Sequence, residues 1–426
     1  MRGSVTPSWS QRGRLLQLAE DARAGLYRAF HSVSALRVHG RLDLTALNRA
    51  WHLLQRRHPV LLSSFDREKP LWRLDPAEPE DLVRLPAPAG ADPADLARQE
   101  LVRAAERPFD VERGPLARLV VVPVPETTEV LLGLIVDHLV CDAWSRRVLV
   151  RDLRLLYDRE VGASAEDPEP VQDTFDDFVR RQNDYLDSEA GLRLRRKAAE
   201  RIASLDRPPT GRARTLPVTR RLDPESYERL TPVARSVRLT RTQLVLAALD
   251  AALADLGGHF PTATTMVVAG RPRADLHGTV GWFASQVAVV NQARHSDPRE
   301  HLRSFQTAMV EALDAARVPW PLVVADALPH RFSSPLSLPY LSFNAQPLRM
   351  RAALRPLPFA GTEVHELSIN LGQQEGALLS YWVEEDDGGL QASLRYKTER
   401  YDEADVVALW ESTVSHLDRF VRSAGL

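Results

Sequence analysis

The chain has 426 residues, is 44% hydrophobic and 26% charged, and carries a formal net charge of −2. At about 150 residues per domain this length favours two or three domains, and the composition excludes disordered and fibrous classes. The near-neutral balance gives no sign of a nucleic-acid or acidic-membrane partner, and a single cysteine, Cys141, excludes an intramolecular disulfide framework or a Cys-based zinc cluster.

The first residues, MRGSVTPSWSQRGR, contain no apolar stretch of the signal-peptide kind. No run anywhere approaches the ~18 apolar residues of a membrane span. A cytoplasmic enzyme or binding protein is expected, with no membrane partner. Lys69, Lys197 and Lys397 are the only lysines, so Arg supplies nearly all positive charge, a skew that points to a GC-rich, bacterial genome.

In DLTALNRAWHLLQRRHP, Leu47, Trp51 and Leu54 fall on one helical face and Pro59 ends the pattern. Asp92-Pro93-Ala94-Asp95 reads as an N-cap with Pro at the first helical position, opening a helix that stops before Pro108. ARLVVVPV and EVLLGLIVD follow, continuous apolar runs that predict strands buried on both faces. After Asp142 the pattern returns to helix.

The polar, Pro-containing segment VGASAEDPEPVQD (161–173) is the expected lobe boundary, giving domains of 1–172 and 173–426. The basic stretch RLRRK is expected to be a solvated helix face. Further on, Thr240-Arg241-Thr242-Gln243 is a capping box opening a helix to Gly257, and TMVVAG is a strand. Asp297 caps another helix. ALLSYWVEE and LQASLRYKT flank the hairpin signal Asp386-Asp387-Gly388-Gly389, and a helix from about Glu403 to Val421 closes the chain. The class is α/β, or mixed α+β, in two halves.

The most informative stretch runs from Ile135 to Ser145, IVDHLVCDAWS. A buried apolar strand stops abruptly in Asp137, His138 and Asp142, and a helix begins. Polar groups at the end of a buried strand are costly unless paired, so they need a reason. One reading is structural: a His satisfied by backbone and an Asp capping the next helix. The other is a reactive site. Strand alternation points Asp137 and His138 to opposite faces. Asp142 could cap the helix or pair with an Arg. No further ligand cluster has metal-site spacing, so no metal is expected. Cys141, three residues past His138 without a Gly-rich elbow, reads as a small buried hydrophobe rather than a nucleophile. Hydrolase, zinc-protease, P-loop and dinucleotide motifs are absent from the sequence. His295, Asp297 and His301 are close in sequence, but Asp297 is better used as a cap. Leu256-Gly257-Gly258-His259 is similar to the start of a carrier-protein phosphopantetheine motif, yet Phe260 stands where its serine belongs, so no arm attaches there.

The Asp137–Ala143 stretch resembles the H-H-x-x-x-D-G motif of the condensation domains of nonribosomal peptide synthetases, members of the chloramphenicol-acetyltransferase-like superfamily. The resemblance continues in order along the chain. Arg57-His58 through Phe65 is similar to R-H-E-x-L-R-T-x-F, with Pro59, Leu62 and Ser63 departing. Phe109-Asp110 and Gly114-Pro115-Leu116-Ala117-Arg118 match the segment before the motif strand. Thr174-Phe175-Asp176-Asp177-Phe178 is similar to Y-x-D-F. Gly270-Arg271 and Val280-Gly281-Trp282-Phe283 look like the G-R and I-G-x-F-V-N stretches, with Ser285 in place of Asn, and Val318-Pro319-Trp320 looks like V-P-F. Asp137 stands at the first His of the motif and Ala143 at its Gly.

The resemblance implies two acetyltransferase-like lobes arranged as a V, a pseudo-dimer with a central tunnel, in a free-standing domain. It implies that His138 is the catalytic residue, and that Asp137, Asp142, Ala143 and Arg271 are structural. Arg271 is the expected partner of Asp142 across the lobes. Trp144, Ser145, Trp282, Phe283 and Ser285 are candidates to line the tunnel. No cofactor is expected to be bound. The acyl donor would arrive on the phosphopantetheine of a separate peptidyl or acyl carrier protein, and a small-molecule or carrier-bound amine or alcohol would accept it. Two alternatives stay open: a coenzyme-A-dependent O- or N-acyltransferase, and a non-catalytic recruitment module. Ala143 keeps its backbone N–H as an oxyanion donor, but would be strained if the site demands the φ > 0 of glycine.

Overall fold

A computed structural model describes residues 4–23, 30–66, 69, 71–74, 78–86, 90, 92–203, 215–261, 263–291, 296–328, 341–346, 357–369, 377–386 and 389–424. Among these the chain forms two compact units of mixed helix and sheet.

The first unit comprises Met1–Tyr185, Arg271–Ala284 and Leu354–Gln373. Its main sheet has five strands in the order Thr362–Glu366, His31–Gly40, Glu129–Asp137, Ala117–Pro123 and Val83–Arg84. All neighbours are antiparallel except the last pair. Glu129–Asp137, the motif strand, therefore lies inside the sheet, and every residue from Leu131 to Asp137 is buried. That burial on both faces is why its sequence reads as an unbroken apolar run instead of an alternation. The helix Pro93–Glu106 covers one face so closely that a Cβ on Gly133 would sit 2.4 Å from Leu101 Cδ1.

Helix starts follow the sequence signals. Asp92 accepts from Asp95 N with Pro93 at the first position, and Asp43 accepts from Thr45 N and Ala46 N. The helix Leu44–Arg57 buries Leu47, Trp51 and Leu54. The Arg57-His58 pair that follows is structural. Buried Asp152 accepts from Arg57 Nε at 2.9 Å and from Arg151, and contacts His58 Nε2 at 3.0 Å.

The second unit comprises Leu186–Gly270, Ser285–Ala353 and Gln374–Leu426. Its six-stranded sheet runs Ser285–Val289, Thr264–Val268, Leu341–Gln346, Leu379–Asp386, Gly389–Lys397, Thr215–Leu222. The helices Arg241–Leu256, Pro298–Ala315 and Glu403–Ser423 accompany it. Their cores meet on Phe305, Phe343, Tyr381 and Phe420, all essentially inaccessible. The Thr240–Gln243 capping box is present, Gly257 ends its helix at φ 73°, and Asp297 caps the helix that follows it. The Asp386–Gly389 hairpin joins its two strands as expected, with Asp387 and Gly388 outside the described residues. His295 also lies outside them.

The polar segment 161–173 does not divide these units. The first unit continues to Tyr185 and regains two later stretches. Two interactions between distant parts of the chain account for this. Thr362–Glu366 adds an edge strand beside His31–Gly40, with Val364 opposite Val38, and Arg271–Ala284 supplies the partners of Asp142 described below.

Candidate active site

The motif strand delivers Asp137 opposite His31 of the neighbouring strand. Asp137 is buried, and its Oδ1 accepts from Leu139 N at 2.9 Å, which closes the tight turn past His138. Its Oδ2 lies 3.8 Å from His31 Nε2, and His31 Nδ1 donates to Ala105 O at 2.7 Å. Burial raises the Asp137 carboxyl and lowers the His31 imidazole, so both are pushed towards their neutral forms. A second brace comes from the N-terminal helix Trp9–Arg23. Gln11, fully buried, donates its side-chain N–H to Leu139 O at 2.9 Å and forms a reciprocal pair with Ser8.

His138, the next residue, has contacts of its own. Its backbone N–H donates to Phe30 O at 2.9 Å. Its ring stacks on Phe30, centroids 4.3 Å apart and planes 14° from parallel, and meets Trp282 at 4.6 Å and 65°. Phe30 and Trp282 are themselves 6.0 Å apart, so Trp282 stands beside the imidazole; on the opposite face it would be much farther from Phe30. The ring is half-buried, while Nδ1 is inaccessible and has no hydrogen-bond partner among the described residues. Burial pushes its pKa down to about 4; Asp142 and the residue's own backbone pull upward, and Arg14 and Arg146 push down. The imidazole is neutral at pH 7.

Asp142 caps the helix Ala143–Glu160 by accepting from Ser145 N at 2.8 Å. Arg271 donates Nη1 to its Oδ2 at 2.7 Å and Nη2 to its Oδ1 at 3.1 Å. Phe283 N and Ala284 N also donate to Oδ2, at 3.0 and 3.1 Å. Burial alone would raise the Asp142 carboxyl; the Arg271 charge and these hydrogen bonds more than offset it and hold it below its usual range. Arg271 is not a partner across lobes as expected, because its segment belongs to the same unit as Asp142.

The tunnel-lining candidates fall into different environments. Ser145 is fully buried, donating to Gly281 O at 2.7 Å and accepting from Gly281 N and Arg271 Nη2. Phe283 is buried under the Arg271 guanidinium, 4.1 Å away, against Phe175 and Phe178. Both are structural here, because the first turn of the helix is clamped by the 271–284 segment. Trp144 is half-buried and donates Nε1 to His277 O at 2.9 Å. Trp282 is the one that touches His138. Ser285 lies in the second unit, where its Oγ accepts from Trp320 N at 3.2 Å.

With this geometry in place, the sequence matches the Condensation domain family over residues 8–424. The chain belongs to the condensation-domain family. It is 29% identical over 392 residues to Chondramide synthase cmdD of Chondromyces crocatus, covering 87% of this chain and 10% of that protein. It is 30% identical over 407 residues to Phosphinothricin tripeptide synthetase PhsB of Streptomyces viridochromogenes, covering 90% of this chain and 33% of that one. The chain thus spans a third or less of the length of these relatives. The crystal structure of the X-domain from teicoplanin biosynthesis shares its fold at TM-score 0.81 and 22% identity, covering 98% of this chain and 95% of that one.

Two features of this condensation domain bear on its altered motif. Ala143 begins the motif helix, and the described non-glycine residues with positive φ are Glu126 and Arg238, so alanine in place of the motif's glycine carries no such strain. Cys141 is inaccessible, and burial raises its thiol far above the range in which a thiolate forms.

Sequence reasoning missed Phe30, Arg14 and Gln11. Ser8-x-x-Gln11 is a capping-box spacing and could have exposed Gln11. Phe30 gives no comparable signal, because its place beside His138 is set by strand pairing. The reason for Gly281 was also hidden: a Cβ there would fall 2.3 Å from the Phe175 ring.

Proposed function

We propose that this condensation domain transfers an acyl or aminoacyl group from a carrier-protein phosphopantetheine thioester to an amine or alcohol, forming an amide or ester in natural-product biosynthesis. The observation that carries the reading is His138: a neutral, half-buried imidazole on a braced turn at the family's catalytic position. With Nδ1 enclosed, Nε2 is the nitrogen left to act. It accepts the nucleophile's proton as the nucleophile attacks the thioester carbonyl, a contribution of about 10²–10⁴-fold. The tetrahedral oxyanion then collapses, the C–S bond breaks, and the imidazolium returns its proton to the departing thiolate. Backbone N–H groups at the start of the motif helix supply oxyanion stabilisation, and Ala143 retains that donor. Asp142 and Arg271 hold the helix start in place without entering the chemistry.

The partners under this reading are a carrier protein and a small-molecule or carrier-bound nucleophile, with no cofactor resident in the chain. The test is a donor comparison. The same acyl group is presented on a phosphopantetheinylated carrier protein and on coenzyme A, with product followed by mass spectrometry. Faster transfer from the carrier supports the reading; faster transfer from coenzyme A replaces it with a coenzyme-A-dependent acyltransferase.

A second reading is a recruitment module. It is favoured by the Asp137 and Ala143 departures and by the complex of a similarly folded X-domain with OxyB in teicoplanin biosynthesis. Binding to a carrier protein without turnover on any donor distinguishes it.

A further inference from the structure

We infer that Phe30, backed by Arg14, is the positioning residue of the His138 base: its ring fixes the imidazole plane, and the cation behind it opposes a second positive charge in front. This deepens the acyl-transfer reading and rests on it. The residues come from three separate parts of the first unit, namely the N-terminal helix, the entry to the His31–Gly40 strand and the motif turn.

Three observations converge. Phe30 is joined to His138 twice, by the near-parallel stack at 4.3 Å and by the hydrogen bond from His138 N to Phe30 O. The backbone bond fixes where the imidazole starts, and the stack fixes which way it faces. Arg14 Cζ lies 5.2 Å over the same Phe30 ring, and the Arg14 residue is itself buried. Because the imidazole covers one face of Phe30, the guanidinium takes the other. The π-cloud that could have stabilised an imidazolium is already engaged by a cation. Trp282 closes one side of the ring.

The charged groups acting on the imidazole are Arg14 from the N-terminal helix, Arg146 from the motif helix and Asp142 at that helix's cap. Asp142 would favour a proton on His138, but two hydrogen bonds from Arg271 already occupy its carboxylate. The balance favours the neutral base, and a base held in one plane directs its lone pair to one place.

The test reads His138 itself and needs no substrate. The histidine-labelled 426-residue chain is titrated by NMR, with the His138 signal assigned by its loss in His138→Gln. Wild type should titrate well below an ordinary histidine. Phe30→Leu and Arg14→Met should each raise the midpoint by about one pH unit, a tenfold change in proton affinity, whereas Phe30→Tyr should leave it in place. An unmoved midpoint in either folded variant overturns the inference. If neither variant folds, ring-to-ring nuclear Overhauser contacts between Phe30 and His138 in wild type decide: their presence supports the stack and their absence refutes it. A protein with the expected titration and no transfer activity would instead retain the positioning and sink the acyl-transfer reading.

Discussion

Asp142 and Arg271 form a two-pronged ion pair in which each side chain is only 2% exposed. The carboxylate accepts from Arg271, Ser145 N, Phe283 N and Ala284 N, so a single side chain ties the start of the motif helix to a segment more than a hundred residues later. Breaking such a pair from one side leaves a buried charge uncompensated, at a cost of about 3–5 kcal/mol. Arg271→Ala should therefore lower the thermal midpoint and the transfer rate together. Adding Asp142→Asn should return part of the stability by removing the orphaned charge. Differential scanning calorimetry of the single and double variants checks this; an unchanged midpoint in Arg271→Ala would show the pair to be dispensable.

Asp137 is the clearest departure from the family motif, yet its carboxyl oxygens face Leu139 N and His31. The charges that act on the His138 imidazole are Asp142, Arg14 and Arg146. Asp137→Asn keeps an acceptor for Leu139 N and should leave the acidic limb of the pH–rate profile unmoved. A limb that shifts to lower pH would reveal coupling between the carboxylate and the imidazole.

Gly281 should resist any side chain. Its Cβ would lie 2.3 Å from the Phe175 ring, and its own backbone is fixed by Ser145 Oγ, which donates to Gly281 O and accepts from Gly281 N. Gly281→Ala is expected to destabilise by about 1–3 kcal/mol, the usual cost of forcing extra volume into a packed core. Phe175→Leu in the same chain should relieve part of it, measured by urea denaturation. No loss in Gly281→Ala would mean that the Phe175 contact yields freely.

How much of this was legible beforehand depends on the range of the interaction. Helix starts at Asp92, Thr240 and Asp297 were readable because a cap acts within three residues. The motif strand was readable because burial on both faces leaves an unbroken apolar run. The edge strand Thr362–Glu366 and the return of Arg271–Ala284 were not, since both are fixed by partners far away in sequence. The boundary expected at 161–173 failed for the same reason. A polar, Pro-containing loop marks where the chain can turn, and says nothing of where it next packs. The polar residues of the motif declared a site, while the ring that orients its histidine is an ordinary Phe30 before a strand.

Acid should weaken the fold through its histidines. Burial holds His31, His58 and His138 below the ordinary imidazole value of about 6.5, His138 at about 4. Between those limits the unfolded chain binds more protons than the native one, so stability rises with pH and is lost as pH falls through the window. Asp137, raised by burial, contributes with the opposite sign. Urea midpoints from pH 4 to pH 7 should climb, and His138→Gln should flatten part of the climb. An equal slope in that variant would contradict a half-buried, neutral His138.

The most direct measurement is the rate at which an aminoacyl-loaded phosphopantetheinyl carrier protein passes its acyl group to an amine acceptor, in wild type and His138→Ala. Intact-mass spectrometry of the carrier and detection of the amide provide the readout. Wild type should turn over, and the variant, still folded by circular dichroism, should lose about 10²-fold or more, the worth of a positioned base. Turnover in His138→Ala within about threefold of wild type, far less than such a base contributes, would contradict His138 as the base.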